Sequence, residues 1–500
     1  MLIFLFCVAL LVTGYFIYGS IAERIFGIKP ERATPAHAQA DGVDYVPMSK
    51  VKIWLIQLLN IAGTGPIFGP ILGALYGPVA MLWIVLGCIF AGAVHDYYCG
   101  MISVRNGGAS IPHMAGRYIG LPVKHLINVI ALILLVLVGV VFVVSPAGLL
   151  TQLTEQILGR SGELVQKGNS AHDYLVTTWV CIIFAYYIIA TLLPIDKIIG
   201  RVYPLFGALL MFMTAGMLFG LLFEGIPLFQ TVGLDEGMGI GDFFKNFYPA
   251  ENMPIFPLIF VTITCGAISG FHATQTPMMA RCMQNEREGR FIFYGAMITE
   301  GVIALIWCMV GLSFYDDVQM LNEAIKSGTP SKVVYEAAIS MLGTFGGMLA
   351  VLGVVVLPIT SGDTAFRAAR LQIAEFFHIE QGSVKNRLML TLPLFAIGIA
   401  LTQIDFSVLW RYFGWANQTT ATIMLWTAAA YLYRHGKCHW ICTVPAIWMT
   451  AVCGTYLAFA KIGFGLNWTV SLIFGVIATI AVTAAFLIVL KPKHVLNSDD

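Results

Sequence analysis

The chain has 500 residues, of which 58% are hydrophobic and only 11% are charged, and its formal net charge is +1. Globular domains carry roughly 25% charged residues, so the composition excludes an ordinary soluble domain. The near-zero net charge also argues against a nucleic-acid binder. Several apolar runs are about 20 residues long, which is the length that crosses a bilayer core as a helix. These features predict an all-α polytopic membrane protein that contacts the lipid bilayer and no nucleic acid.

Thirteen membrane spans are predicted. The first is interpreted as a retained helix and not as a cleaved signal peptide, because no Lys or Arg precedes it. Two spans are too long for one straight crossing, and we expect them to continue as helix outside the hydrocarbon. In chain order the spans are 2–20, 50–76, 78–104, 123–157, 174–194, 201–224, 254–280, 291–315, 333–378, 386–404, 406–432, 440–460 and 465–490.

The loops between these spans carry an uneven distribution of basic residues. Alternating the loops between the two sides places 21 of the 28 Lys and Arg residues on one face. Cytoplasmic loops are enriched in Lys and Arg, so we predict an N-terminus outside and a C-terminus in the cytoplasm. The predicted units are an extra helix with a cytoplasmic loop at 1–48, a five-helix repeat at 49–224, a periplasmic loop at 225–253, a second repeat at 254–432, and two further helices with a short tail at 433–500.

Two spans contain glycine, proline and hydroxyl residues at their centres. Residues 60–73 read NIAGTGPIFGPILG, and residues 264–277 read TCGAISGFHATQTP. Gly and Pro weaken or remove helical hydrogen bonds, and the freed backbone groups then need partners inside a membrane. Close packing of helices through small residues explains a single break equally well. Two breaks that open two runs of five spans in opposite orientation are typical of an inverted-repeat secondary transporter.

Six stretches carry a family resemblance: DGVDYVPMSK, IAGTGPIFGPILGA, AGAVHDYY, SVRNGGASIP, CGAISGFHATQTP and GDTAFRAAR. Together, and in this order, they resemble the carbon starvation protein A (CstA) family of bacterial inner-membrane transporters over nearly the whole chain. The resemblance implies a LeuT-like fold with a 5+5 inverted repeat. It also implies uptake of peptides or pyruvate, small carboxylate-bearing nutrients, as part of a starvation response and driven by an H⁺ or Na⁺ gradient.

Three features depart from the long form of that family. Ile56 and Gln57 stand where the long form has a His-His pair, and His95 stands where it has Gln. The additional C-terminal region of the long form does not follow residue 490, so the resemblance is to a short form. The coupling ion and the substrate therefore cannot be transferred directly from the long form.

The two breaks supply the candidate substrate-binding residues. Helix N-termini favour anions, so a carboxylate is the expected guest of a half-helix that starts here. His272 would donate to a substrate oxygen or titrate near neutral pH, although a satisfied interior histidine is the alternative. Asn60 either lines the site or bridges helices. The full set is Asn60, Gly63, Thr64, Gly65, Gly266, Ser269, Gly270, His272, Thr274 and Gln275.

Further polar residues within the spans are candidates for ion coupling. Glu300 is expected near the middle of the membrane, where a carboxylate is costly and usually functional. His95 and Asp96 are expected near the cytoplasmic end of their span, as a gate pair with Arg105 or Arg367 or as an interfacial salt bridge.

Thr360, Ser361 and Asp363 form a second coupling candidate. The LeuT-like resemblance implies that a hydroxyl pair in this place holds sodium against carbonyls of the first broken helix. Oxygen ligands suit such a hard cation, while bonding of the hydroxyls back to their own helix is the alternative. Bound Na⁺ is thus an open alternative, and no other cofactor is expected.

One group of potential metal ligands lies near the C-terminus. His435, Cys438, His439 and Cys442 have the spacing i, i+3, i+4 and i+7 of one helix face. Four ligands on one short helix rarely surround a tetrahedral ion, so no metal site is predicted there. The sequence contains no phosphate loop and no His-Glu-x-x-His motif, so an enzyme is not expected. A channel and a membrane sensor without transport are the alternative functions.

Overall fold

The structure of the protein is a computed structural model. The predicted C-terminal tail and parts of the predicted periplasmic loop lie outside the described residues. The structure describes residues 2–41, 45–159, 170–192, 195–223, 227–233, 240–380 and 383–489.

The described regular structure is entirely helical, as predicted. The first half of the chain forms α1 (Leu2–Phe26), α2 (Pro35–Ala38), α3 (Lys50–Ile61), α4 (Gly65–Ala74), α5 (Val79–Gly87), α6 (Ala93–Arg105), α7 (Ile111–Tyr118), α8 (Leu121–Ile157), α9 (Ser170–Leu192) and α10 (Ile195–Phe223). The second half forms α11 (Ile255–Thr262), α12 (Gly270–Ala280), α13 (Gly295–Ser313), α14 (Val318–Phe377), α15 (Val384–Leu401), α16 (Phe406–Arg434), α17 (Trp440–Phe459) and α18 (Trp468–Val489).

Each of the thirteen predicted spans coincides with one helix or with a broken or interrupted pair. Among the described residues, ten helical segments are long and apolar enough to cross a membrane, and the bent α3–α4 pair brings the number to eleven. The α11–α12 pair and α16 complete the predicted thirteen, and their crossing stays a prediction. The long span at 333–378 belongs to α14, whose 60 residues are interrupted by non-helical backbone at Gly328, Thr329 and Gly343.

Both predicted breaks are present. The helices α3 and α4 meet at an angle of 48° across residues 62–64. The second break separates α11 from α12 over residues 263–269 and contains Gly266 at φ +86°, a backbone conformation that favours glycine. The sequence reason is local: glycines remove the constraint of a Cβ atom, and Pro66 lacks the N–H that would continue a helix into α4.

The two breaks lie directly against each other. A Cβ atom on Gly65 would overlap the side chain of Cys265, and one on Gly266 would overlap Ala304 of α13. Glycine at these positions therefore allows the two discontinuous helices to approach closely. The same close approach places polar side chains from several helices at the centre of the protein.

The helices form two packed groups. The broken pairs α3–α4 and α11–α12 pack with α5, α6 and α13, whereas α8 and α9 pack with α14 and α15. The extra helix α1 lies against α13 and α6. This division into a group with the broken helices and a supporting group leaves a cavity between them. The predicted boundaries of the two repeats stay a prediction.

We expect Gly65→Ala to lower the melting temperature of the purified protein, because overpacking of an interior typically costs about 1–3 kcal/mol. The same change should cost much less in a Cys265→Gly background, where the overlapping side chain is gone. Gly241→Ala is the control, since a Cβ atom there would meet nothing within 4 Å. Equal losses in the two backgrounds would show that the breaks do not depend on this contact.

Candidate functional site

The end of the first half-helix is held by α14. The Ser361 hydroxyl donates to the carbonyl oxygens of Leu59 and Asn60, at 3.2 Å in each case. Asn60 is 2% exposed, and the Thr64 hydroxyl is buried with no hydrogen-bond partner among the described residues. The structure thus brings Ser361 to the carbonyl groups of the break, in the placement that the resemblance implied.

The other two residues of this coupling candidate make different contacts. The Thr360 hydroxyl donates to the Leu357 carbonyl of its own helix, at 2.8 Å. The carboxylate of Asp363 lies 3.7 Å from the Arg367 guanidinium, one turn further along α14. The hydroxyl pair is therefore divided, because only Ser361 reaches the broken helix. A sodium site at this position stays a prediction.

The N-terminus of α12 is satisfied by a side chain that the sequence reasoning missed. Oδ1 of Asn417, on α16, accepts a hydrogen bond from the Phe271 N–H at 2.7 Å and one from the Ser269 hydroxyl at 3.2 Å. A Cβ atom on Gly270 would overlap the Asn417 carbonyl. In this conformation the Asn417 side chain therefore takes the place at the N-terminus of α12 where a substrate carboxylate was expected. The polar run Asn417–Thr420 within an apolar span was the available signal.

The ionisable residues of three spans form one buried cluster. Nδ1 of His272 lies 2.9 Å from Oδ2 of Asp96, and Nε2 of the same ring lies 3.2 Å from Oε2 of Glu300. Nδ1 of His95 lies 2.7 Å from Oδ1 of Asp96. All four side chains are fully buried. The imidazole of His272 therefore bridges two carboxylates that belong to α6 and α13, and we call Asp96, His272 and Glu300 the bridged triad.

The expected partners of Asp96 were wrong. Arg105 makes a bidentate contact with Glu286, with N···O distances of 2.9 and 3.1 Å, while Arg367 lies beside Asp363. Asp96 is fully buried against His272 and Glu300, and its expected position near the cytoplasmic end of its span stays a prediction. These contacts could not be predicted from the sequence, because they join side chains of spans that are ~200 residues apart in the chain.

Three atoms near the triad have the chemistry of metal ligands. Single ligand atoms of Cys265, His272 and Glu300 lie within 4.8 Å of one another, and all three residues are buried. A cation would have to compete with a His272–Glu300 contact that is already at hydrogen-bond distance. Nε2 of His272 and the Glu300 oxygens make no hydrogen bond among the described residues, so the attraction between the two side chains is one of charge.

A cavity of about 410 Å³ lies between the two helix groups. Exposed Lys52 and Glu375 line one end, and buried Asn60 lines the other, while buried Arg367 lies on α14 between Glu375 and Ser361, which contacts Asn60. The exposed end faces the side predicted to be cytoplasmic. The wall includes Ile56, Ala131, Leu135, Ala273, Thr274, Pro277, Arg281, Thr364, Ala368 and Gln372.

Aromatic packing closes the protein beyond the inner end of this cavity. Phe142 of α8 and Phe271 of α12 are fully buried and pack edge to face, with ring centroids 5.9 Å apart. A Cβ atom on Gly63 would overlap the Phe142 ring. Phe142 thus fills the space beside Gly63, three residues beyond the cavity residue Asn60.

Of the ten predicted substrate-binding residues, Asn60 and Thr274 line this cavity. His272 belongs to the bridged triad, and the Gln275 side chain donates to the Thr274 hydroxyl at 2.9 Å. The remaining members are packed against protein in this conformation, so their contact with substrate stays a prediction. These are Gly63, Thr64, Gly65, Gly266, Ser269 and Gly270.

The spacing of the cysteine and histidine group near the C-terminus suggested that it lies on one helix, but the structure does not place it on one. The helix α16 ends at Arg434 and α17 begins at Trp440, so the four residues span a turn. Nδ1 of His435 lies 2.7 Å from the Tyr431 carbonyl, and Nδ1 of His439 lies 2.9 Å from the Thr443 hydroxyl. Gly436, at φ +64°, allows this turn. Burial lowers the pKa of His435. The two rings thus have local hydrogen-bond partners, and the four residues do not share one helix face.

The sequence matches the profile of the family described as carbon starvation protein CstA over residues 1–158, 156–339 and 331–456. It is 61% identical to an uncharacterised membrane protein of Haemophilus influenzae, over 66% of this chain and 95% of that protein. It is 26% identical to the peptide transporter CstA of Escherichia coli K12, over 91% of this chain and 81% of that protein. Identity to the pyruvate/proton symporter BtsT of the same bacterium is 30%, over 57% of this chain and 45% of that protein.

Solved transporter structures share the fold. The structure of MhsT with L-phenylalanine matches with a TM-score of 0.55 at 15% identity, over 88% of this chain and 99% of that one. The nucleobase-cation-symport-1 family transporter Mhp1, in a closed conformation, matches with a TM-score of 0.54 at 12% identity, over 93% of this chain and 96% of that one. The LeuT-like fold with two broken helices is therefore confirmed.

Proposed function

Because this chain belongs to the carbon starvation protein CstA family, we propose that it is a proton-coupled importer of peptides or pyruvate in the bacterial inner membrane. The names of its relatives, peptide transporter CstA and pyruvate/proton symporter BtsT, supply the substrate classes. The shared fold supports secondary transport and not catalysis. A role in carbon starvation follows from the family description alone.

One observation carries the coupling mechanism: a single half-helix belongs to both the bridged triad and the cavity wall. His272 of α12 contacts Asp96 and Glu300, while the next two residues, Ala273 and Thr274, line the cavity. A change in protonation at His272 would alter the forces that hold α12 against α6 and α13. The same movement of α12 would reshape the place where substrate binds.

The charges of the triad explain why a proton is the natural coupling ion. Two ionised carboxylates with a neutral imidazole would leave two negative charges at membrane depth, which is very costly. One proton on His272 makes the ring cationic: Nδ1 then donates to Asp96, the positive charge faces Glu300 at 3.2 Å, and one net negative charge remains. The cluster titrates as a unit, because its members lie within hydrogen-bond distance.

The cavity supports alternating access and not a continuous pore. Its lining runs along α3 from exposed Lys52 to buried Asn60, and just beyond Asn60 the break at Gly63 packs against Phe142, which contacts Phe271. A symporter in this conformation would release substrate and proton to the cytoplasm. Outward opening would require separation of these two rings, which belong to different helix groups.

We expect Glu300→Gln to slow uptake driven by a pH gradient at least tenfold, while exchange of substrate for substrate falls much less. Glutamine keeps the size of the side chain but removes the carboxylate that faces His272, and exchange does not require the full proton cycle. Uptake and exchange of labelled substrate would be compared in the same proteoliposomes.

The matched control is Glu155→Gln. Glu155 is another buried carboxylate, 1% exposed, and it pairs with His172 at 2.8 Å between α8 and α9. We expect this variant to lower the two rates equally or not at all. If Glu300→Gln behaved as this control does, Glu300 would be structural and the proton assignment to the triad would fail.

Sodium is the second candidate ion, because Ser361 lies at the carbonyl groups of the first break. Under the proton proposal, uptake at fixed pH is unchanged when choline replaces Na⁺ and collapses when a protonophore is added. A different result would assign coupling to Na⁺ at this break. Uptake would then depend on Na⁺, would be lost in Ser361→Ala and would fall less in Thr360→Ala. Thr360 is the appropriate comparison because its hydroxyl bonds to its own helix.

A further inference from the structure

The charged side chains that line the cavity are mostly basic. Lys52, Arg281 and Arg367 line it, against one acidic residue, Glu375. Lys52 and Glu375 are exposed at the mouth, whereas Arg367, two turns before Glu375 on α14, is only 6% exposed. A guanidinium in so buried a position is costly unless it has charged or hydrogen-bonding partners.

The described partners of Arg367 do not use all of its donors. Its Nη2 donates to the Ala190 carbonyl at 2.8 Å and lies 3.7 Å from Oδ1 of Asp363, which is too long for a hydrogen bond. Its Nε has no hydrogen-bond partner among the described residues. A buried donor without a partner costs free energy, and the Arg367 side chain lines the cavity, so a substrate acceptor that reaches Nε from the cavity would remove this cost.

The neighbouring hydroxyl groups have no free proton to donate to a substrate acceptor. The Thr364 hydroxyl donates to the Ser361 carbonyl at 2.9 Å, and the Thr274 hydroxyl donates to the Phe271 carbonyl at 2.7 Å. Both hydroxyl protons are therefore engaged within their own helices. The guanidinium is left as the buried charged donor of the cavity wall.

We propose that Arg367 binds the carboxylate of the transported substrate, an inference that rests on the function proposed above. The planar guanidinium has a fork of N–H donors that matches a carboxylate, which lysine does not reproduce. Pyruvate and the C-terminus of a peptide share this group, so one residue serves both substrate classes. Lys52 and Arg281, nearer the mouth, attract the anion but are weakened by solvent screening.

This assignment predicts which form of the ligand binds more tightly. A site that pairs this guanidinium with a substrate carboxylate should favour the acid over the neutral amide of the same shape, because the amide NH₂ cannot accept a hydrogen bond from the N–H donors and the amide carries no negative charge. Hydrogen bonds to charged groups support about a 10- to 100-fold preference for the acid. This preference is measurable on the unaltered protein.

The experiment measures binding by isothermal titration to the purified full chain in detergent, with four probes. Two are carboxylates, pyruvate and L-alanyl-L-alanine, and two are their amides, pyruvamide and L-alanyl-L-alaninamide. The wild type should bind at least one acid 10- to 100-fold more tightly than its amide. Arg367→Gln should lose this preference, and Arg367→Lys should keep only part of it.

Arg281→Gln is the matched control, since it removes a cation from the mouth of the same cavity and should retain most of the preference. Equal binding of acid and amide by the wild type would overturn the assignment of Arg367 while leaving proton-coupled transport intact. Retention of the full preference by folded Arg367→Gln would overturn it too. If the wild type binds neither acid, the proposed substrate class fails, and this inference fails with it.

Discussion

The bridge from His272 to Asp96 and Glu300 is the interaction on which the rest of the structure depends. Three ionisable side chains without solvent contact are tolerated only when each has a partner at hydrogen-bond distance. To meet, they must be brought from three different helices to one point. The glycines of the two breaks make this possible, because Gly65 and Gly266 let the broken helices approach without side chains between them. Asn417 then satisfies the start of α12 that this approach leaves open.

The same arrangement connects proton and substrate through one short element. The helix α12 is 11 residues long and has the triad on one side and the cavity on the other. A half-helix with its own hydrogen-bonded ends can move as a unit, whereas a continuous span would have to break backbone hydrogen bonds. The discontinuity therefore provides mobility at the place where the charge changes. The supporting helices α8 and α14 carry the opposite wall, including Arg367.

The sequence allowed the main architecture to be predicted because its signals are local. Apolar run length identified the spans, and the clusters of glycine and proline at 60–73 and 264–277 identified both breaks. Glu300 stood out because a carboxylate in an apolar run is costly. The partners of these residues could not be predicted in the same way, since Asp96 meets His272 only after helices far apart in the chain have packed.

Other misjudgements have similar causes. The spacing of His435 and Cys442 fits a helix face, but Gly436 adopts a left-handed conformation and the chain turns there. The half-helix N-terminus at Gly270 was expected to meet substrate, yet Asn417 lies there because tertiary packing placed α16 beside the break. Arg367 was considered only as a gate residue, since its donors can be counted only when its neighbours in space are known.

The central claim, that the proton of the bridged triad is linked to substrate binding, is tested most directly by measuring proton exchange on substrate addition. Purified protein in weakly buffered detergent solution would receive pyruvate or L-alanyl-L-alanine while pH is recorded. The account predicts a change of up to about one proton per bound substrate, present in the wild type and absent in His272→Gln that still binds substrate. Substrate binding without any proton exchange in the wild type across pH 5–8, or an undiminished signal in His272→Gln, would contradict it.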